Sequence, residues 1–413
     1  MEKSVEPEHF QKWFRIAVFN LLLVALLGII LRYKIVFSLP FVDQKFLLNA
    51  HSHFAFAGWI SQALMIFITA YIRRHLQPFR WRKYRNLLIA NLVTAYGMLL
   101  SFPITGYAPV SIIFSTLSIF ASYAFVIVAW TDLNKIDRNK IVHHWFKASF
   151  VFNALSSIGA FALAFMMANK IAHPNWYLAA IYFFLHFQYN GWFLFACMGL
   201  LASKLDEQLV SKKLQQNVFY AFLFACVPTY FLSALWLPLP LWVYMLVVAA
   251  ALTQFSAGII LLSAIMKKRK LIFSKAPAAA LYTWCLSAIA LTIKLFLQAG
   301  STIPTLSTWA YGFRPIIIGY LHLILLGVIT LFILGYAMYE GYLPHNRNAV
   351  RGILIFIAGF IFNELLLLVE GLGAITYTAI PFVNELLLLA AIVMFSGLLI
   401  LNAAGEKYAG KTV

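Results

Sequence analysis

The chain is dominated by apolar runs that are each long enough to cross a lipid bilayer. Hydrophobic residues make up 63% of its 413 positions and charged residues only 11%, which is typical of membrane proteins. Runs of about 20 apolar residues predict transmembrane helices. On this criterion we predict an all-α integral membrane protein with twelve spans in one bundle, near residues 13–33, 48–72, 86–104, 108–130, 146–168, 175–202, 217–237, 240–266, 279–299, 315–339, 351–370 and 380–402.

The charges of the loops predict the orientation of the spans. Lys and Arg accumulate on the cytoplasmic side of membrane proteins. Basic loops such as 73–85 and 267–270 follow even-numbered spans, whereas loops after odd-numbered spans carry almost no charge. We therefore expect both termini to be cytoplasmic, in the inner membrane of a bacterial-type cell. No cleavable leader pattern precedes the first span, which we expect to be retained.

The loops are too short to hold a core of their own. Residues 1–413 are thus predicted to form one membrane domain, with short cytoplasmic tails at 1–12 and 403–413. The formal net charge of +18 comes largely from the basic loops, which favour anionic lipid headgroups and make nucleic acid an unsuitable partner. Each of the three cysteines lies alone within a span, which indicates neither disulfides nor a cysteine-rich metal site.

Four histidines lie inside the apolar runs, with His51 and His53 in the second span, His186 in the sixth and His322 in the tenth. An imidazole in hydrocarbon is costly unless something binds it, so these residues are candidates for a functional site. From the helical rise, His53 and His322 each lie roughly 10 Å below the outer surface of a core about 30 Å thick, and His186 roughly 16 Å below it. Histidines at matched depth on facing helices are typical of haem held by two axial imidazoles.

His53 and His322 are the predicted axial pair. His51 and His53 are two positions apart and point roughly 200° away from each other around the helix, so only one of them can address the iron. His51 is therefore the alternative ligand. The histidine that does not bind iron is left to bond a haem propionate, water or a neighbouring helix.

Three further residues suit a haem site but have ordinary explanations as well. Arg314, at the outer mouth of the tenth span, is a candidate partner for haem propionates, although an arginine snorkelling at the interface has the same pattern. Gly58 and Gly327 follow the histidines by more than one turn. They predict either close approach of a macrocycle edge or contact between helices.

Twelve spans with both ends inside, and histidines in the second, sixth and tenth helices, resemble the catalytic subunit of haem-copper oxidases and nitric oxide reductases over essentially the full length. The resemblance implies a low-spin haem, for which we expect the b type, clamped by His53 (or His51) and His322. It also implies a copper ligand at His186, oxidoreductase activity, a quinol or cytochrome as electron donor, and partner subunits.

Two departures from that family's pattern weaken the expectation of copper and of oxygen reduction. The family's other copper ligands are a histidine pair at the outer end of the seventh helix, where this chain reads PTYFLSALWLPLP. The histidine that would hold a high-spin haem is replaced by Tyr320. A single imidazole from His186 is a poor copper site. Electron transfer, nitric oxide binding at a second haem near His186, and redox sensing are the functions left open.

The chain also resembles the twelve-span NnrS-type proteins in its length, in the histidine of an early span, and in the pattern His-x-x-x-x-Gly from His322 to Gly327. That resemblance implies haem, copper and relief of nitric oxide stress. Both resemblances point to a haem-binding bundle related to oxidase catalytic subunits, in which the copper site is altered or degenerate.

A twelve-helix secondary transporter without haem is the alternative. Lys294, Gln254 and Glu364 lie within spans, where such residues often mark ion or proton paths. Lys294 is predicted to lie near enough to the outer surface to snorkel. A transporter of this size is expected to show a repeat between its halves, and none is evident in the sequence.

Overall fold

In the computed structural model, which describes residues 7–136 and 140–409, the chain is helical and these residues include no β-strand. Within these described ranges, ten helices are long and apolar enough to cross a membrane, or eleven if one bent pair is counted as a span. The class of all-α, multi-pass membrane protein is therefore confirmed, while the count of twelve spans stays a prediction.

The long helices are α1 (Pro7–Val36), α2 (Gln44–His75), α3 (Trp81–Thr105), α4 (Pro109–Leu133), α5 (Lys140–Ala168), α6 (Pro174–His186, continuing to Leu194–Ala202), α7 (Lys212–Cys226, followed by Pro228–Ala234), α8 (Leu241–Ile272), α9 (Ala278–Gly300), α10 (Arg314–Tyr339), α11 (Arg347–Ile375) and α12 (Val383–Ala409).

Two of these helices depart from a simple apolar span for identifiable reasons. The middle of α6 carries His186, Gln188 and Asn190, and these polar side chains lower its hydropathy. The bent pair is α7, where Lys212–Cys226 and Pro228–Ala234 meet at 42°. Pro228 has no N–H to donate, and its ring clashes with the preceding turn, so a break is expected there.

The predicted tails are helical where the structure describes them. Because α1 begins at Pro7 and α12 ends at Ala409, residues 7–12 and 403–409 continue the first and last helices. Residues 1–6 and 410–413 of the tails, like residues 137–139 of a predicted basic loop, lie outside the described ranges.

Contacts between Cα atoms group the chain into two compact units. Unit 1 comprises Met1–Ile136, Pro277–Thr283 and Ile333–Val413, and unit 2 comprises Asp137–Ala276 and Trp284–Phe332. Of the candidate histidines, His51 and His53 therefore belong to unit 1, whereas His186 and His322 belong to unit 2.

In unit 1, α11 and α12 pack through glycines. A side chain at Gly352 would meet the backbone of Gly397 and Leu401, and one at Gly359 would meet the backbone of Met394. Small residues allow two membrane helices to approach closely and gain van der Waals contact. Among the ten candidate spans α2 is the most enclosed, with 94% of its most apolar stretch buried.

An aromatic and charged cluster joins the ends of several helices in unit 1. The Phe67 ring lies 4.9 Å from that of Tyr336 and 5.7 Å from that of Tyr342. Arg74 forms an ion pair with Glu340 and donates a hydrogen bond to the Tyr342 hydroxyl at 3.4 Å. Burial raises the pKa of Tyr342 to about 12.

This raised pKa predicts a loss of stability in alkali that depends on Tyr342. The folded state keeps the phenol proton up to pH about 12, whereas an unfolded tyrosine loses it near pH 10. The contribution of Tyr342 to the free energy of unfolding is thus fully present below pH 10. It is lost as pH rises towards 12, by up to about 2.7 kcal/mol. Thermal unfolding of wild type and Tyr342→Phe at pH 9 and pH 11.5 is expected to show a smaller alkaline loss in the variant. Equal losses of stability in the two proteins would show that Tyr342 does not cause the alkaline loss.

Candidate functional site

Each candidate histidine helix is interrupted by a π-helical segment that begins just after a histidine. In α2 this segment is Ala55–Ser61 and follows His53, in α6 it is Phe187–Phe193, and in α10 it is Leu323–Thr330. The segments in α6 and α10 follow His186 and His322 directly. Wide π turns are rare and are found most often at functional sites, so the three interruptions mark this part of each helix as special.

The three segments share the sequence pattern His-x-x-x-x-Gly, which was predicted to be significant only in α10. His53 is followed by Gly58, His186 by Gly191 and His322 by Gly327, in each case with four residues between. The glycine lies inside the π-helical segment each time. A search for His-x-x-x-x-Gly on every fourth helix would have found this internal repeat.

Polar side chains from neighbouring helices donate hydrogen bonds to backbone carbonyl groups in two of the π-helical segments, those of α2 and α10. In unit 1, Asn20 of α1 donates to the Gly58 carbonyl at 2.6 Å, and Asn91 of α3 donates to the Ala57 carbonyl at 3.0 Å. In unit 2, Ser287 of α9 donates to the Val328 carbonyl at 2.7 Å. These hydrogen bonds connect the π-helical segments of α2 and α10 to the helices beside them and thereby stabilise them.

The glycines of α2 and α6 make room for aromatic rings. A Cβ at Gly58 would lie 2.7 Å from the Phe54 ring, and a Cβ at Gly191 would overlap the Cβ of Phe152. The Phe54 ring occupies the space beside Gly58, and the macrocycle edge expected there stays a prediction.

Gly191→Ala is expected to destabilise unit 2 by about 1–3 kcal/mol, the usual cost of overpacking. The added methyl group meets the Cβ of Phe152, which cannot move without its backbone. Gly312→Ala is the matched control, since nothing lies within 4 Å of a Cβ at that position. Denaturant unfolding in detergent measures the difference, and equal stabilities would contradict close contact between α5 and α6.

His51 faces α1. Its Nδ1 lies 3.1 Å from the carbonyl oxygen of Val24, and since a carbonyl only accepts, Nδ1 carries the proton. Nε2 of this neutral tautomer holds a lone pair, and no hydrogen bond to it is present among the described residues. A Cβ at Gly28 would stand 3.6 Å from the His51 ring, so α1 is close to the imidazole without crowding it.

His53 faces the other side of α2, as its spacing from His51 predicts. Its Nε2 lies 2.9 Å from the Tyr107 hydroxyl, and its ring stacks on Phe102 with centroids 4.6 Å apart. Burial raises the pKa of Tyr107, which lies in the loop after α3. The ring nitrogen that commonly binds metal is thus already hydrogen-bonded.

His186 is buried and held by the protein at both ring nitrogens. Nε2 donates to the Cys226 carbonyl at 2.8 Å, and Nδ1 lies 3.1 Å from the side-chain nitrogen of Asn190. The Cys226 carbonyl lacks its usual helical donor because Tyr230 donates to Val227 instead, at the bend of α7. His186 therefore fastens α6 to the break in α7, and it could bind copper or a second haem only by giving up one of these bonds.

His322 and Arg314 lie on the first helical stretch of α10, Arg314–His322. His322 is partly buried, and Arg314 is exposed at the start of the helix with no carboxylate partner among the described residues. Tyr320 is also partly buried. Arg314 is thus available to an anionic group.

The copper site expected from the oxidase resemblance stays a prediction. Within the described ranges, no group of three or more His, Cys, Asp or Glu side chains is arranged to hold a metal ion. Two axial histidines of a haem form a smaller set than such a group, so the expectation of haem is not affected.

Two intramembrane ionisable residues occupy different units. Lys294 is 1% exposed and donates to the Gln298 side chain, so the prediction that it snorkels to the surface is wrong. Glu364 accepts from Asn363 at 3.0 Å and belongs to unit 1, whereas Lys294 belongs to unit 2.

Comparison of the chain with protein-family models and with curated proteins found no match.

Proposed function

We propose that this chain is a haem-binding membrane redox protein related to the catalytic subunits of haem-copper oxidases, with twelve spans and an altered copper site. The observation that carries the proposal is the hydrogen bond from His51 Nδ1 to the Val24 carbonyl. Histidines that bind metal commonly donate their other ring N–H to a backbone carbonyl, which fixes the tautomer and increases the basicity of the ligating nitrogen.

The hydrogen bonds favour His51 over His53 as the ligand from α2. His51 keeps a lone pair on Nε2, whereas Nε2 of His53 is bonded to Tyr107. The second axial ligand in the proposal is His322, chosen from helix order and depth. Exposed Arg314 is the candidate partner for the haem propionates. A b-type haem with two axial imidazoles supplies one-electron redox chemistry.

Oxygen reduction at a copper centre is not part of the proposal. The sequence provides no histidine pair near Pro228–Ala234, and His186 is fixed by Cys226 and Asn190. Electron transfer from a quinol or a cytochrome, in the inner membrane and with both termini cytoplasmic, is the activity that this set of residues supports best. Nitric oxide binding at a second haem remains a prediction that requires His186 to exchange its partners.

The reduced-minus-oxidised absorption spectrum of the purified full-length protein tests the proposal. A six-coordinate, low-spin b-type spectrum that is unchanged by added nitric oxide supports electron transfer through a bis-histidine haem. A flat difference spectrum, from protein produced in haem-replete cells, would overturn it and leave the transporter alternative.

A further inference from the structure

A buried lysine in unit 2 has amide partners and no carboxylate. Lys294 donates to Oε1 of Gln298, and Nε2 of Gln298 donates to Oε1 of Gln254 at 2.8 Å. The three side chains are between 1% and 5% exposed. Nε2 of Gln254, the last of the three hydrogen-bonded side chains, has no hydrogen-bond partner among the described residues.

The charge of the lysine sets the direction of these hydrogen bonds. An ammonium group has three donors and no acceptor, so Gln298 must turn its oxygen towards Lys294 and its nitrogen towards Gln254. Gln254 then presents its own oxygen, and a donor is left over at its other end. A buried donor without a partner is destabilising.

A neutral lysine allows the opposite direction. A primary amine has a lone pair, which can accept a hydrogen bond from Nε2 of Gln298 once that amide turns over. Oε1 of Gln298 then accepts from Nε2 of Gln254, the atom that lacks a partner in the present arrangement. The free end of Gln254 becomes an acceptor, and a buried carbonyl without a partner is tolerated better than an orphaned N–H.

The surroundings of Lys294 do not compensate a permanent charge. Among the described residues, the titratable groups that interact with it electrostatically are Cys226 on α7 and His186 on α6, and Gln254 of α8 is uncharged. No ion pair to Lys294 is found in the described parts of the chain. An uncompensated charge in a membrane interior is expensive, whereas both protonation states have a hydrogen-bonded arrangement here.

We propose that Lys294, Gln298 and Gln254 form a proton-binding relay in which protonation of the lysine sets the direction of both amides. Gain of a proton from water turns the free end of Gln254 into a donor, and its release turns that end into an acceptor. The relay is independent of haem. It would couple a proton to the polar interior of unit 2, where it also alters the electrostatic field at His186.

Infrared difference spectroscopy of the intact protein, in acidic against alkaline buffer, tests the relay. Wild type labelled with ¹³C at the glutamine side-chain carbonyl is expected to show a pH-dependent amide band pair that moves with the label. Absence of a label-sensitive band pair in wild type would overturn the proposal without any variant being needed.

Substitutions then assign the band pair to Lys294. Arginine stays protonated at every accessible pH, so Lys294→Arg is expected to abolish the pH dependence, as is Lys294→Met. Gln254→Leu, which keeps the lysine, is expected to remove part of the signal. Lys34→Met is the control, since Lys34 belongs to unit 1 and donates to the Leu39 carbonyl. A band pair of undiminished size in Lys294→Arg or Lys294→Met would overturn the relay.

Discussion

His51→Ala is expected to lower the haem content of the purified protein by at least about tenfold. Loss of a group that only orients a metal ligand typically costs about 10–100-fold in metal affinity, and His51 is the proposed ligand itself. The variant removes the imidazole whose Nδ1 is fixed by the Val24 carbonyl and whose Nε2 is available to iron. Any haem that remains is expected to be five-coordinate and high-spin, because one axial ligand is missing. Absorbance of the haem per mole of protein measures the effect.

His53→Ala is the matched control for this prediction, because it removes an imidazole from the same helix on the opposite side. It is expected to keep the low-spin spectrum while losing the hydrogen bond to Tyr107. The reverse outcome, with haem lost in His53→Ala and kept in His51→Ala, would assign the ligand to His53. Retention of the low-spin spectrum in both variants would exclude an axial ligand from α2.

His322→Ala is expected to remove the second axial ligand and to change the remaining haem from low-spin to high-spin, with a similar loss of haem content. The control is His75→Ala, at the end of α2, where Nδ1 is bonded to the Tyr71 carbonyl at 2.8 Å. That variant is expected to keep the wild-type spectrum. Electron paramagnetic resonance of the oxidised protein distinguishes the two spin states, and an unchanged low-spin signal in His322→Ala would contradict the assignment.

Apolar runs predicted the helical class and the positions of the long helices, since burial in lipid demands about 20 apolar residues whatever the tertiary structure. They could not predict the interruptions. The bend of α7 follows from Pro228, whose missing N–H predicts a break whatever the apolar pattern around it. The π-helical segments depend on partners such as Asn20 and Asn91, which lie on other helices.

The candidate site was predictable at the level of residue type and helix. Four intramembrane histidines are evident in the sequence, and the opposite directions of His51 and His53 follow from helix geometry. The choice between them depends on how α2 is rotated towards α1, which brings Val24 to His51 and Tyr107 to His53. Likewise, Lys294 was expected to snorkel from its distance to the helix end, but Gln298 and the packing of unit 2 enclose it.

The pyridine haemochrome assay on the purified, full-length protein measures the central claim most directly, because it counts haem per polypeptide independently of ligation and spin state. The proposal predicts at least one b-type haem for each chain. Protein that is folded and monodisperse yet contains no stoichiometric haem, even after production with added haem, would contradict the account.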